Sequence, residues 1–252
     1  MSLVLSDLAK SWGGFRAVDG VSLTVPKGGL VGIIGPNGAG KSTLFSLVSG
    51  FLAPDAGTVT LDGADITQAA AHERARRGMV RTFQVPREFA HLTVRENLMA
   101  AVPGQSGETL MGLFLRPAAV RAEEQAAAAR VAETITFLRL DAVADTPAGK
   151  LSGGQKKLLE LGRALMTNPA LILLDEPFAG VNPVLVEALS AHIRALNARG
   201  IGFLIIEHDL PALTRLVGDI HVMDRGRIIA SGAPAAVLAD AAVREAYLGG
   251  SA

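Results

Sequence analysis

Nine consecutive residues, Gly35 to Thr43 (GPNGAGKST), carry the clearest chemical signal in the chain. They fit the pattern G-x-x-x-x-G-K-[ST]. Gly35 and Gly40 let the backbone turn tightly around Pro36, so that the N–H groups of Asn37, Gly38 and Ala39 can point inward. Lys41 adds a point charge, and Ser42 adds a hydroxyl suited to a metal ion. A helix starting here would aim its positive end at the same place. The ligand that uses all of this is the β- and γ-phosphate end of a nucleoside triphosphate. A glycine-rich turn that binds nothing is the competing reading, and the register of Lys41-Ser42 argues against it.

Further groups could complete a phosphoryl-transfer site. Leu171 to Pro177 (LILLDEP) is an apolar run ending in two acids. Asp175 is suited to holding Mg²⁺ with Ser42, and Glu176 to orienting a water. His208 follows the similar apolar run GFLIIE, so both runs can end on one rim of a parallel sheet, where ligands bind. Ser152-Gly153-Gly154-Gln155, in LSGGQ, opens a helix; it can be a simple cap or a second anion site. Trp12 could stack on an adenine or cover a sheet edge, while Phe15 reads as core. Gln84 alone reads as an ordinary loop residue. The remaining histidines, His72, His91, His192 and His221, lack such a context.

The elements that must hold these groups are strands and helices in alternation. Val31 to Ile34 reads as a buried strand before the loop, and TLFSLVSGF as an apolar helix after it. Leu3 to Leu8 and Val21 to Val25 alternate like strands, with SWGGFRAVDG between them. Residues 69–77 read as a helix whose Arg74, Arg76 and Arg77 form a solvated face. From residue 86 to about 166 a helical pattern takes over, with a capping box at Thr93-x-x-Glu96 and a long helix over about 118–140. Residues 183–199 read as an amphipathic helix, and 220–230 as a hairpin before a helical tail over 233–252. The expected organisation is one α/β domain over 1–252, its core from 1–85 and 167–232, with residues 86–166 inserted as a helical subdomain.

Composition narrows the functional classes. The 24 Lys and Arg balance the 24 Asp and Glu, which argues against a nucleic-acid partner. The chain has no Cys, so disulfides and thiolate metal sites are excluded. No run of about 18 apolar residues exists to span a membrane, and the N-terminus lacks the pattern of a signal peptide.

Taken together, GPNGAGKST, Gln84, LSGGQ, LILLDEP and His208 occur in the order of an ATP-binding-cassette (ABC) ATPase, and the resemblance covers essentially the whole chain. WGGFRAVDGVSL, GMVRTFQ, LTVRENL, EPFAGVNP, IIEHDL and AYLG are similar to the ATP-binding subunits of branched-chain amino-acid importers. Urea and amide importers and the lipopolysaccharide exporter share much of this pattern. The resemblance implies a P-loop NTPase (RecA-like) core with an antiparallel β-subdomain and the inserted helical subdomain. It implies ATP and Mg²⁺ as ligands, with Gly35 to Thr43 around the phosphates and Trp12 at the adenine. It gives Asp175, Ser42 and Gln84 to the metal, Glu176 to the attacking water, and His208 to the γ-phosphate. It implies a second ATP-binding subunit, identical or different, whose Ser152-Gly153-Gly154 would close each site. Asn182 stands where many such proteins have Asp. The implied partners are membrane-spanning permease subunits and, indirectly, a solute-binding protein, at the cytoplasmic face of the inner membrane and without nucleic acid. Soluble nucleic-acid-associated relatives, which usually carry paired cassettes or added modules, and catalytically degenerate partners fit less well.

Overall fold

The structure is a computed structural model that describes residues 1–82, 88–108 and 117–248. The chain divides into two compact units, Met1–Gln84 with Ala170–Ala252, and Val85–Pro169.

In the first unit a six-stranded sheet has the order β10-β9-β3-β8-β7-β6. Its strands are β3 (Leu30–Ile34), β6 (Met79–Arg81), β7 (Leu171–Asp175), β8 (Gly202–Ile206), β9 (Asp219–Asp224) and β10 (Arg227–Gly232). All pair in parallel except β10, which returns antiparallel to β9. Every residue of β7 and β8 is buried, which explains their unbroken apolar sequences. A second, antiparallel sheet runs β2-β1-β4-β5, from β1 (Leu3–Trp12), β2 (Phe15–Val25), β4 (Ala56–Leu61) and β5 (Ala64–Asp65). The segment SWGGFRAVDG is strand almost throughout. A tight turn at Gly13-Gly14 lets β1 and β2 extend until Trp12 pairs with Phe15.

Helix α1 (Lys41–Val48) buries Leu44, Phe45, Leu47 and Val48 in one cluster with Leu3 and Leu5 of one sheet and Val31 and Ile33 of the other. Each such side chain contributes about 1.5–3 kcal/mol by leaving water. The far end of α1 rests on an arginine. Helix α2 (Ala71–Arg76) carries Arg74, which is 1 % exposed and not on a solvated face. Its Nη1 donates to the Leu47 and Val48 carbonyls at 2.9 and 2.6 Å, its Nη2 to Thr67 and its Nε to Ala69. Helix C-termini leave carbonyls unpaired at the negative end of the dipole, and a guanidinium supplies both donors and charge.

The second unit is helical, with α3 (Val94–Met99), α4 (Pro117–Phe137) and α5 (Gly153–Met166). Thr93 and Glu96 form a reciprocal capping box on α3. Helix α4 buries Val120, Ala127, Val131 and Ile135, one stripe at helical spacing. A side chain at Gly162 of α5 would meet Leu98 at 2.8 Å and Leu138 at 2.9 Å, so glycine allows the close approach. The first unit is completed by α6 (Pro183–Ala198), α7 (Leu210–Thr214), α8 (Pro234–Ala239) and α9 (Ala241–Leu248). Among the described residues no helix is long and apolar enough to cross a membrane.

Candidate active site

Strand register brings the candidate residues of the first unit together. Strand β8 lies between β3 and β7, and Ile206 pairs with Ile33 on one side and Asp175 on the other. The three strand ends are therefore level. The glycine-rich loop after β3, Glu176 after β7 and His208 after β8 emerge on one carboxyl-end rim, where open parallel sheets bind ligands.

They enclose a cavity of about 290 Å³ lined by Asn37 to Thr43, Glu176, His208, Phe15 and Ala17. Its floor is glycine by necessity. At Gly40, with φ +99°, a Cβ would lie 2.1 Å from the Ala17 carbonyl; at Gly35 it would lie 2.1 Å from that of Met223. The loop thus packs backbone to backbone on β2 and β9. Tyr247 of α9 reaches the same loop, sharing a hydrogen bond with the Gly35 backbone, and burial pushes its phenol up to about 12.

Lys41 is 6 % exposed, and its Nζ donates to the carbonyls of Gly35 at 2.8 Å and Pro36 at 2.9 Å. Burial lowers its pKa, while the nearby carboxylates of Glu176 and Asp175 pull it back up. Ser42 is exposed and lines the cavity. Glu176 holds a left-handed φ of +49°, and its Oε1 lies 2.9 Å from His208 Nε2. Phe15 is 63 % exposed and lines the cavity, so it is not core: the Gly13-Gly14 turn carries it beyond the packed part of the sheet. Trp12, its cross-strand partner, is half exposed with Lys10 Nζ 5.2 Å over its ring and does not line the cavity.

Asp175 is almost buried, and its Oδ2 accepts from Arg81 Nη2 at 2.8 Å. Arg81 also donates to the hydroxyls of Ser46 and Ser49, and lies 5.7 Å over the Phe45 ring. It therefore joins the acid at the end of β7 to the helix behind the phosphate loop. The sequence alone does not single out Arg81; its one signal is a charge that directly follows the apolar pair Met79-Val80. Glu207, 2 % exposed beside His208, is not singled out either. Gln84 lies outside the described residues, as does the apolar segment 111–115.

Ser152 to Gln155 belong to the second unit. Ser152 caps α5: Gln155 N–H donates to its Oγ at 3.3 Å, and Ser152 N–H donates to Gln155 Oε1 at 2.9 Å. Ser152 and Gly153 remain exposed, and a side chain at Gly153 would meet nothing within 4 Å. Asn182 caps α6, its Oδ1 accepting from Leu185 N–H at 2.9 Å.

A sequence profile described as "ABC transporter" matches residues 18–179, from within β2 to just past Glu176. The chain belongs to the ABC transporter family of ATP-binding cassettes. It is an ATPase of P-loop fold. A second profile, for a branched-chain amino acid ATP-binding cassette transporter, matches residues 227–252 of this cassette. A probable branched-chain amino acid transport ATP-binding protein of Methanocaldococcus jannaschii is 43% identical over 96% of this chain and 95% of its own. The lipopolysaccharide export system ATP-binding protein of Escherichia coli is 38% identical, covering 98% and 97%. A crystal structure of a nucleotide-free ATP-binding cassette from an ABC transporter superposes with a TM-score of 0.85 at 43% identity, covering 98% of this chain and 99% of that one.

Proposed function

We propose that this cassette powers the uptake of branched-chain amino acids, as one of two ATP-binding subunits on the cytoplasmic face of an inner-membrane importer. The observation that carries the cargo is the match of residues 227–252 to the branched-chain amino acid cassette profile, which the archaeal relative's name supports. Lipopolysaccharide export, after the name of the Escherichia coli relative, is the second reading; nothing comparable to the 227–252 match favours it.

The phosphates of ATP fit the cavity over Gly35 to Thr43, and Lys41 turns from the Gly35 and Pro36 carbonyls toward them. Phe15 and Trp12 offer faces to the adenine. Ser42 and Asp175, with Gln84, would hold Mg²⁺, and the donor set fits: hard oxygens, with no cluster of three His, Asp or Glu among the described residues to cage the ion. When bound, that ion neutralises charge on the β- and γ-phosphate oxygens. Glu176 orients the attacking water and receives its proton as the water oxygen bonds to the γ-phosphorus and ADP departs. His208, hydrogen-bonded to Glu176, faces the γ-phosphate. Ser152, Gly153, Gly154 and Gln155 present the N-terminus of α5 to the nucleotide of a second cassette, identical or different. Closure of the pair on ATP moves the permease subunits, which receive cargo from a solute-binding protein; no nucleic acid takes part.

Affinity isolation of the tagged chain from native membranes tests this reading. The expected result is copurification of permease subunits, a second cassette and a binding protein whose ligand is leucine, isoleucine or valine. Copurification of membrane subunits that carry lipopolysaccharide instead would overturn it.

A further inference from the structure

We infer that Glu207 is a positioning residue for hydrolysis: one buried carboxylate that locks the loop carrying Glu176 to the loop carrying His208. The inference rests on the roles proposed for those two residues.

A carboxylate is costly to bury without compensating bonds. Glu207 is 2 % exposed, directly after the wholly buried strand β8. Among the described residues its hydrogen-bond partners are backbone N–H groups. Oε1 accepts from Phe178 at 2.6 Å; Oε2 accepts from His208 at 2.9 Å and, more weakly, from Asp209 at 3.3 Å. Phe178 belongs to the loop after β7, and His208 and Asp209 to the loop after β8. The two oxygens of one rigid group therefore fix two loops about 30 residues apart in the chain. The Glu207 backbone N–H adds a third anchor, donating to Ile33 O on the strand that leads into the phosphate loop.

The arrangement addresses a mechanical need. Glu176 stands in a left-handed conformation, which is strained for a residue with a side chain and persists only where the surroundings impose it. On one side its N–H donates to Ile206 O at 2.9 Å. On the other, two residues on, Phe178 is held by Glu207. The Glu176–His208 contact of 2.9 Å spans the same two loops, so its length depends on their separation. Burial raises the Glu207 pKa, the three N–H bonds counter it, and the neighbouring Glu176 charge adds to the rise. A neutral residue of equal size lacks acceptors for both loops. Glutamine keeps one oxygen and turns its NH₂ against the N–H groups of the other loop.

The test is steady-state ATP hydrolysis by the purified chain carrying Glu207→Gln, alone and combined with His208→Ala. Glu207→Gln is expected to lower kcat about 100-fold, the scale of a misplacement near 1 Å, while ATP affinity stays within about threefold. In the His208→Ala background the further loss from Glu207→Gln shrinks to about threefold or less, because the residue acts through the partner already removed. A wild-type kcat, an equal loss in both backgrounds, or ATP affinity falling in step with kcat each overturns the inference. Amide hydrogen exchange on the nucleotide-free wild-type protein needs no variant to fold. Phe178 and His208 should be protected like β7 and β8, and loop-like exchange at either overturns the lock. Normal hydrolysis by Glu176→Gln would sink the roles on which the inference rests; an indifferent Glu207→Gln beside an inactive Glu176→Gln sinks only the lock.

Discussion

At the start of α1, Lys41 is buried, preceded by Gly35 and Gly40, which pack on backbone, and in electrostatic reach of two carboxylates. At the start of α5, Ser152 and Gly153 face solvent and are ordered by a local cap. Both are glycine-bearing helix N-termini, which attract anions for the same dipolar reason. The difference lies in bracing. The α1 start is fixed at its near end by β2 and β9, at its far end by Arg74, and from the side by Arg81 and Asp175. The α5 start, among the described residues, is tied only within its own unit, by the Ser152 cap and by an ion pair of 2.6 Å between Lys156 and Glu88. A site complete in one chain would call for equal preparation of both. The asymmetry suits a phosphate cradle built for a ligand it receives first, and a second N-terminus that adds its share when another cassette closes.

The comparison breaks most sharply at Glu176. Glu176→Gln keeps the shape of the braced rim and removes its base, so ATP hydrolysis should fall about 1,000-fold while ATP still binds. ATP should then hold cassettes together long enough for a dimer to be seen by size-exclusion chromatography. Hydrolysis at the wild-type rate would refute the assignment. The next largest effect concerns the brace behind α1. Arg74→Met preserves much of the volume but strands buried carbonyls, at a cost of about 3 kcal/mol. Chemical denaturation measures it, and a change under 1 kcal/mol would mean that α1 is held without the arginine.

The parts of this molecule that were legible in the sequence are those whose signal is local. VGII, LILLD and GFLII are apolar runs because both faces of their sheet are covered, and each is a strand in the structure. Thr93-x-x-Glu96 and Ser152-x-x-Gln155 cap helices because capping spans only three residues. Arg74 was illegible: on a short helix with two other arginines it looks solvated, and its four carbonyl partners come from segments meeting only in the tertiary fold. Phe15 misled in the opposite direction, since exposure followed from how far two strands run past the core. Glu207 and Arg81 share Arg74's difficulty. A charge at the end of an apolar run reads as noise until its partners, about 30 and 90 residues away, are known.

The smallest effect sharpens the comparison at α5. Ser152→Ala removes the hydroxyl that accepts from Gln155 N–H but leaves Gln155 Oε1 accepting from the Ser152 N–H. The loss of the cap should cost about 1 kcal/mol, which for a protein of this size lowers Tm by about 2–4 °C. Nucleotide affinity of the isolated cassette should not change, because the braced cradle is untouched. Hydrolysis by the assembled transporter should fall by more than the lost stability explains, since the same hydroxyl then faces the phosphate bound by the other cassette. A Tm loss with full transporter activity would restrict Ser152 to capping. Weaker nucleotide binding by the isolated chain would mean instead that the two helix starts are coupled within one molecule, and the division between a braced and a waiting N-terminus would have to be given up.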